Sequence, residues 1–469
     1  MSRQVYRLAV TFLLGALLVS ACAPASPAAP TVTPAQASLT KTPRPTATIT
    51  STPLPPIKIS PAALKGLTLQ IWHAFAGPAA EVFTRQVTQF NGSNEWGIQV
   101  VPTGYGDYTS LFDAVGSALD AGQSPDLVAS LPEQTLTWTA ADAVVDLAPY
   151  LADRTWGMNA ETIADIPSIF LAQDNVGGKQ LGFPAQRSAR FLFYNKTWAA
   201  ELGFDNPPAT SDEFRRQACA ANASFTKDSD PRNDSYGGWI IDTNWQSSYS
   251  WLLAFDGAVA DGSSYSFRMD PNLATLKFIK GLRDSHCAWL PLEPASFDSF
   301  GAFARRLALF VSADLGEVPQ AAASMAAMKN ADQWELIPFP GPQKRVLVDY
   351  GPSYSVLKST PERQLAAWVF IRWMLSSENQ AEWVKSTGLF PLRTSVLDLV
   401  GPFRAASPQW DGAVKGLDSA ENVPQLASWR KVRYVLEDGL TTIFQNDTPI
   451  AQLPSILTEM DTLAGELSK

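Results

Sequence analysis

From Leu67 to Trp72 apolar and polar residues alternate, the pattern breaks from His73 to Pro78, and Val82, Phe83, Val87 and Phe90 then recur at helical spacing within Ala79 to Phe90. The spacing predicts a strand, a loop and a helix. Ile98 to Pro102 reads as a second strand and Tyr108 to Ala121 as a second helix. Asp126 to Ala129, after the Ser124-Pro125 turn, reads as a third short strand. Strands that alternate with helices imply a parallel sheet covered by helices on both faces. Ligands of such sheets lie beyond the carboxyl ends of the strands, which singles out the loops His73 to Pro78, Thr103 to Asp107 and Ser130 to Glu133.

Ahead of this body, Arg3 and Arg7 precede an uncharged apolar run from Leu8 to Val19 that closes on Ser20, Ala21 and Cys22. The run is too short to span a bilayer and ends in small side chains, so residues 1–21 read as a removable signal segment. It resembles the lipobox of exported bacterial lipoproteins, which implies that Cys22 becomes the acylated first residue of the mature chain. Residues 23–56 hold nine prolines, eight threonines and only two charges, Lys41 and Arg44. Such a stretch has no apolar face to bury and stays extended, so 22–62 is expected to be a tether reaching up to about 100 Å. The expected location is the outer face of the cytoplasmic membrane, with lipid as the anchor.

The remaining body, about 400 residues from position 63, is long enough for two domains with substantial cores. Loss of Arg3 and Arg7 with the signal segment takes the formal charge from -9 to -11. That balance argues against nucleic acid as a partner and against general adhesion to anionic lipid. With Cys22 assigned to lipid, Cys219 and Cys287 remain in a compartment where disulfides persist, and they are expected to pair; two free buried thiols are the alternative. His73 and His286 are the only histidines, and neither has a second ligand at metal spacing, so no metal is expected.

Catalytic signatures are sparse. Gly351-Pro-Ser353-Tyr-Ser355 lacks the last glycine of a nucleophile elbow, no H-E-x-x-H occurs, and Gly104-Tyr-Gly106 is too short for a dinucleotide fingerprint. No cofactor and no enzymatic activity are expected, although an acid pair for glycoside hydrolysis remains open among the many carboxylates. Fifteen tryptophans are present. Flat aromatic faces and planar polar side chains suit sugars, and Asn244-Trp-Gln-Ser-Ser-Tyr-Ser-Trp251 is the stretch in which core burial looks least forced.

The string Leu181-Gly-Phe-Pro-Ala-Gln-Arg-Ser-Ala-Arg-Phe-Leu-Phe-Tyr-Asn195-Lys-Thr-Trp resembles the crossover segment of extracellular solute-binding proteins of the sugar-binding, maltodextrin-like family. Other strings follow in the family's order: Ile71-Trp-His-Ala-Phe-Ala-Gly-Pro78, Pro125-Asp-Leu-Val128, Pro207-Pro-Ala-Thr-Ser-Asp-Glu-Phe214, Phe303 to Phe310, and Gly351-Pro-Ser-Tyr-Ser-Val356 before the helix Glu362 to Leu375. The resemblance covers about 65 to 400. It implies a two-lobe α/β fold of the type II periplasmic-binding-protein kind, with three interlobe crossings and a ligand cleft between the lobes. The crossings fall near Ala185, Ala313 and Phe370, so lobe 1 is expected to be 63–184 with 313–370, and lobe 2 185–312 with 371–469.

Carried over position by position, the resemblance puts His73, Phe75, Ser130, Glu133, Arg187, Ser188, Asp314, Tyr350, Gly351 and Tyr354 at the cleft. Trp245 and Trp251 join them from the aromatic stretch. Ser188 stands where a maltodextrin-binding relative has an acid, so hydroxyl recognition differs here. The implied role is that of the substrate-binding lipoprotein of an ABC importer. A monomer captures a mono- or oligosaccharide by hinge closure and hands it to permease subunits in the membrane. A glycerol-phosphate diester, a polyamine, a sensor role and a surface glycan-acting enzyme are the alternatives.

Overall fold

The computed structural model describes residues 56–445 and 447–469. The expected signal segment, Cys22 and most of the tether lie outside the described residues. The last residues assigned to the tether belong to the body. Ile57 and Ile59 pack against the main core, and the Ile57 N–H donates to Asp153 Oδ2 at 2.9 Å.

The chain opens with β1 (Thr68–His73), α1 (Gly77–Ser93), β2 (Gln99–Gly104), α2 (Tyr108–Asp120), β3 (Leu127–Ser130) and α3 (Pro132–Ala140). Val82, Phe83, Val87 and Phe90, the helical stripe of α1, are all buried against Leu69 and Ile71 of β1. Burying each such side chain stabilises the lobe by about 1.5–3 kcal/mol. Later elements that position the cleft are β4 (Phe183–Pro184), β5 (Arg190–Asn195), α4 (Ser211–Phe225), β6 (Trp239–Ile240), α5 (Trp245–Ala254), β7 (Ala288–Trp289), β8 (Phe310–Asp314), β9 (Trp334–Ile337), β10 (Arg345–Asp349), β11 (Ser353–Val356), α6 (Pro361–Met374), α7 (Ser377–Thr387), β12 (Ala420–Asn422), α8 (Trp429–Gln445) and α9 (Leu453–Leu467). The Pro207–Phe214 string does open a helix. Thr210 and Glu213 cap α4 reciprocally, each side chain taking an N–H of the other's end.

Two five-stranded sheets organise the two lobes. The first runs β2-β1-β3-β11-β4 and the second β7-β6-β8-β5-β9. In the first, β1 is parallel to β2 and β3, while β11 is antiparallel to β3 and β4. In the second, β6 is parallel to β7 and β8, and β5 is antiparallel to β8 and β9. The carboxyl ends of the parallel strands therefore carry His73, Gly104 and Ser130 in one lobe, and Ile240, Trp289 and Asp314 in the other.

The chain passes from the first sheet to the second between β4 and β5, beside Ala185. Near Ala313 it does not change sheets. Ala313 sits within β8, opposite Phe191 of β5, and β9 pairs with β5 as well, so the chain stays in the second sheet until β10. It returns between Asp349 and Ser353, with β10 pairing β12 and β11 joining the first sheet. Phe370 is no crossing either. It is fully buried in the middle of α6, edge-on to Phe83 and Phe90 of α1. The chain leaves the first lobe only after α7, and the helix Pro408–Val414 then packs on β9.

Cys219 of α4 and Cys287, just before β7, are disulfide-bonded across 68 residues. In the chain-entropy model a loop of that size contributes about 4 kcal/mol. No described helix is long and apolar enough to cross a membrane.

Candidate functional site

Each lobe brings charged groups to the strand ends. Glu133 lies in the first turn of α3, directly after β3, and is 1% exposed. Its Oε1 accepts from the Tyr350 hydroxyl at 2.7 Å and from Arg433 Nη1 at 2.6 Å, while Oε2 has no protein partner. Tyr350 lies on the second crossing and Arg433 on α8 of the second lobe, so this carboxylate ties lobe to hinge to lobe. Arg433 also donates to the Tyr350 oxygen. Burial and the Glu133 carboxylate push the Tyr350 phenol well above its usual pKa, which keeps its proton available for donation.

Aromatic rings wall this trio. Trp245, at the start of α5, meets the Tyr350 ring edge-on at 4.9 Å and Trp429 at 5.7 Å. The Arg433 guanidinium lies 5.6 Å from the Trp245 ring and 5.1 Å from Tyr434. One turn earlier on α8, Arg430 stacks over Phe112 of α2 at 4.2 Å, a second contact between the lobes.

A second charged group closes the ends of the second sheet. Arg190, the first residue of β5, pairs with Asp242 at 2.8 Å and Asp314 at 3.0 Å, and also donates to the Ser247 hydroxyl and the Ser312 carbonyl. A hollow of about 190 Å³ opens beside it, between Asp242, Thr243, Pro291 and Ser299. Burial pushes the Asp314 carboxyl up to about 6, helped by Glu317 and Asp242 and opposed by Arg190.

Of the residues singled out from sequence, Glu133, Tyr350 and Trp245 converge on the interlobe contact, and Asp314 lies at the ends of the second sheet. Others are structural. Phe75 and Trp251 are core residues: Phe75 packs on Phe83 and Trp383, and the fully buried Trp251 on Phe214, Trp239 and Phe339. Tyr354 is 1% exposed inside the first sheet, against Phe370. The Ser130 hydroxyl is spent on Thr135 and Ser355. His73 stacks on Phe75 and accepts its N–H at 3.2 Å; burial lowers the imidazole to about 4, so it is neutral at physiological pH.

Arg187, expected at the cleft, is instead enclosed in the hinge with no exposed surface. Its guanidinium donates to the carbonyls of Phe170, Gln186, Gly351 and Pro352, to Asp174 at 3.0 Å and to the Ser353 hydroxyl, and Asp349 lies 3.5 Å away. Its own carbonyl accepts the Phe390 N–H, so one residue ties all three segments that pass between the lobes. Ser188 and Tyr350 pair backbone to backbone beside it. Gly351 is required by the same close approach, because a Cβ there would stand 2.3 Å from the Gln186 carbonyl oxygen.

Asp349 has no exposed surface, and burial raises its carboxyl to about 7, with Asp174 adding and Arg187 opposing. An unfolded Asp titrates near 3.9, so between about pH 4 and 7 the native protein binds the extra proton and this group's contribution to stability falls as pH rises. His73, with its lowered pKa, contributes the opposite slope below about pH 6.5. Asp349→Asn is therefore expected to lose less stability than the parent between pH 5 and pH 8. Urea unfolding of both proteins at both pH values measures this, and parallel pH dependence would remove Asp349 as the cause.

The groups that sequence reasoning missed lie on α8. Trp429 and Arg433 are four residues apart and so share a helical face, a signal readable in Trp429-Arg-Lys-Val-Arg433.

Residues 85–415 match the profile of a family described as "Bacterial extracellular solute-binding protein". The chain belongs to this family. Its members are binding proteins rather than enzymes, working outside the cytoplasm, and those of ABC importers deliver small solutes to a membrane permease. The solute-binding protein is 21% identical over 427 residues to the sn-glycerol-3-phosphate-binding periplasmic protein UgpB of Yersinia pestis, covering 87% of this chain and 94% of that one. The Escherichia coli K12 protein of the same name is 22% identical over 399 residues, 80% of this chain and 87% of that one. Among solved structures, the sugar-binding protein MalE of Xanthomonas citri aligns with TM-score 0.73 at 19% identity, over 85% of this chain and 97% of that one. UgpB of Mycobacterium tuberculosis, in complex with glycerophosphocholine, aligns with TM-score 0.65 at 17% identity, over 85% and 98%. These likenesses establish the two-lobe fold.

Proposed function

We propose that this solute-binding protein captures a neutral, hydroxyl-rich solute, a mono- or oligosaccharide, between Glu133 of the first lobe and Arg433 of the second. The observation that carries the reading is the charge matching at the cleft. Arg433 is already answered by Glu133, and Arg190 by Asp242 and Asp314. Both of these guanidiniums are already matched by carboxylates that a phosphate monoester would have to displace, whereas sugar hydroxyls bridge a carboxylate and a guanidinium as donor and acceptor at once; Arg430, over Phe112, has no carboxylate at ion-pair distance among the described residues and favours the second reading below. Trp245 and Tyr434 supply flat faces for pyranose C–H patches, with the fully buried Trp429 packed behind Trp245.

Closure turns the lobes about the crossings on either side of Arg187, and the solute favours the closed form by contacting both lobes. A lipid at Cys22 and the Pro- and Thr-rich tether hold a monomeric body near its permease, raising its effective concentration there. The similarity to proteins named for sn-glycerol 3-phosphate supports a second reading, a glycerol-phosphate diester. A thermal-shift screen of the purified protein against maltooligosaccharides, monosaccharides, polyamines, sn-glycerol 3-phosphate and glycerophosphocholine separates the readings. At a hundred times its dissociation constant a ligand adds about 2.7 kcal/mol. Stabilisation by a carbohydrate alone is expected; stabilisation by a glycerophosphodiester with every carbohydrate inert would overturn the sugar reading.

A further inference from the structure

Away from the cleft, the first lobe contains a hollow of about 540 Å³ whose walls include Arg154, Arg372, Arg393, Asp153, Asn159 and Ser376. Three guanidiniums around one hollow stand out in a chain of net charge -9. The wall contains a single acid, and its charge is already directed at backbone. Asp153 Oδ2 accepts the Ile57 N–H at 2.9 Å, and Oδ1 accepts those of Thr155 at 2.8 Å and Trp156 at 2.9 Å.

The arginines are correspondingly underused. Arg372, half-buried, gives one N–H to the Trp156 carbonyl at 2.7 Å and has no carboxylate at ion-pair distance among the described residues. Burial lowers its pKa with no acid beside it to oppose the shift. Arg154 is exposed and likewise has no ion pair among the described residues. Arg393 commits Nε to Asp165 at 2.6 Å and Nη1 to the Leu375 carbonyl at 3.4 Å, leaving Nη2. Ser376, which caps the first turn of α7, completes the wall. A half-buried guanidinium without a carboxylate, as Arg372 is, costs desolvation, which a tetrahedral oxyanion with several acceptor oxygens offsets by charge-assisted, bidentate bonds.

We propose that this hollow is a binding site for a phosphoryl group, held by Arg154, Arg372 and the free edge of Arg393. It is separate from the interlobe cleft and stands whichever solute the cleft takes. The phosphoryl group comes either as free phosphate or as the headgroup of an anionic lipid near the membrane the body serves. The general acidity of the chain opposes loose adhesion to such a surface, so binding rests on the hollow itself.

The test follows the melting temperature of the purified protein against inorganic phosphate, with sodium chloride matched in ionic strength, and its sedimentation with phosphatidylglycerol or phosphatidylcholine vesicles. Phosphate also stabilises proteins by exclusion from their surface, so the Arg154→Gln and Arg372→Gln variants serve as the reference. The expected result is a saturable rise in the parent, weakened about fivefold or more by each variant, Arg154→Gln being an exposed change that leaves the fold intact. Sedimentation with phosphatidylglycerol only, relieved by phosphate, identifies lipid as the source; phosphate binding without sedimentation identifies the free anion. Absence of both saturable phosphate binding and phosphatidylglycerol-dependent sedimentation would overturn the proposal. So would equal binding by the parent and the Arg154→Gln/Arg372→Gln double variant.

Discussion

Arg187→Met is expected to destabilise the protein by about 3–5 kcal/mol, because Asp174 and Asp349 lose their counter-ion and must either stay charged unpaired or take up protons in a fully buried site. The loss reaches beyond the ion pairs. The Phe170 and Gln186 carbonyls lose the guanidinium donor at the same time, and each buried acceptor left unmade has its own desolvation cost, while the Gly351 carbonyl keeps Gln173 Nε2 and the Pro352 carbonyl keeps the Ala185 and Gln186 N–H groups. Arg187→Lys keeps the charge but not the planar fork that reaches carbonyls in two directions, so it is expected to recover only part of the loss. Denaturant unfolding of the three proteins at pH 7 measures both effects. An Arg187→Met midpoint indistinguishable from the parent's would mean that the hinge is held by something other than this residue.

Arg433→Ala is expected to weaken binding of the carbohydrate found by the screen by about 2–4 kcal/mol, a factor of about 30 to 1,000. Two contributions act together. The solute loses a bidentate donor on the second lobe, and Glu133 is left buried, answered only by the Tyr350 hydroxyl. Glu133→Gln is expected to act in the same direction from the first lobe. Because the two side chains touch, the double variant should cost less than the sum of the singles. Calorimetric titration of the four proteins gives the coupling directly. Unchanged affinity in both single variants would place the solute elsewhere.

Much of the first lobe was legible in the sequence, because its helices are amphipathic and its strands short and bounded by turns. The stripe Val82, Phe83, Val87 and Phe90 is buried as its spacing requires. The pairing of Cys219 with Cys287 was legible from compartment and count. The crossings were less so: β8 ends in Asp314 like a strand leaving its sheet, and only its pairing with β5 shows that the chain stays.

Of the three residues that meet at the interlobe contact, Glu133 was marked by the loop after β3, Tyr350 by the family resemblance and Trp245 by its aromatic stretch. Arg187 and Trp251 misled for physical reasons. A charged side chain reads as a cleft residue unless buried carbonyls are known to await it, and those carbonyls come from segments far apart in sequence. The serines around Trp251 look like a polar surface, yet α5 is buried almost all round and Ser248 bonds back to the Thr243 carbonyl. In an enclosed helix, small hydroxyl residues act as packing spacers, and a back-bond such as that of Ser248 satisfies them without solvent. Arg433 lay beyond the recognised strings, although its spacing from Trp429 was on display.

The most direct measurement is a crystal structure of the protein with the carbohydrate that stabilises it most. The expected density lies between the lobes, with sugar hydroxyls on Glu133 and Arg433 and a ring face on Trp245 or Tyr434. A sugar bound to one lobe alone, or seated away from the Glu133–Tyr350–Arg433 contact, would contradict capture by closure of two hinged halves.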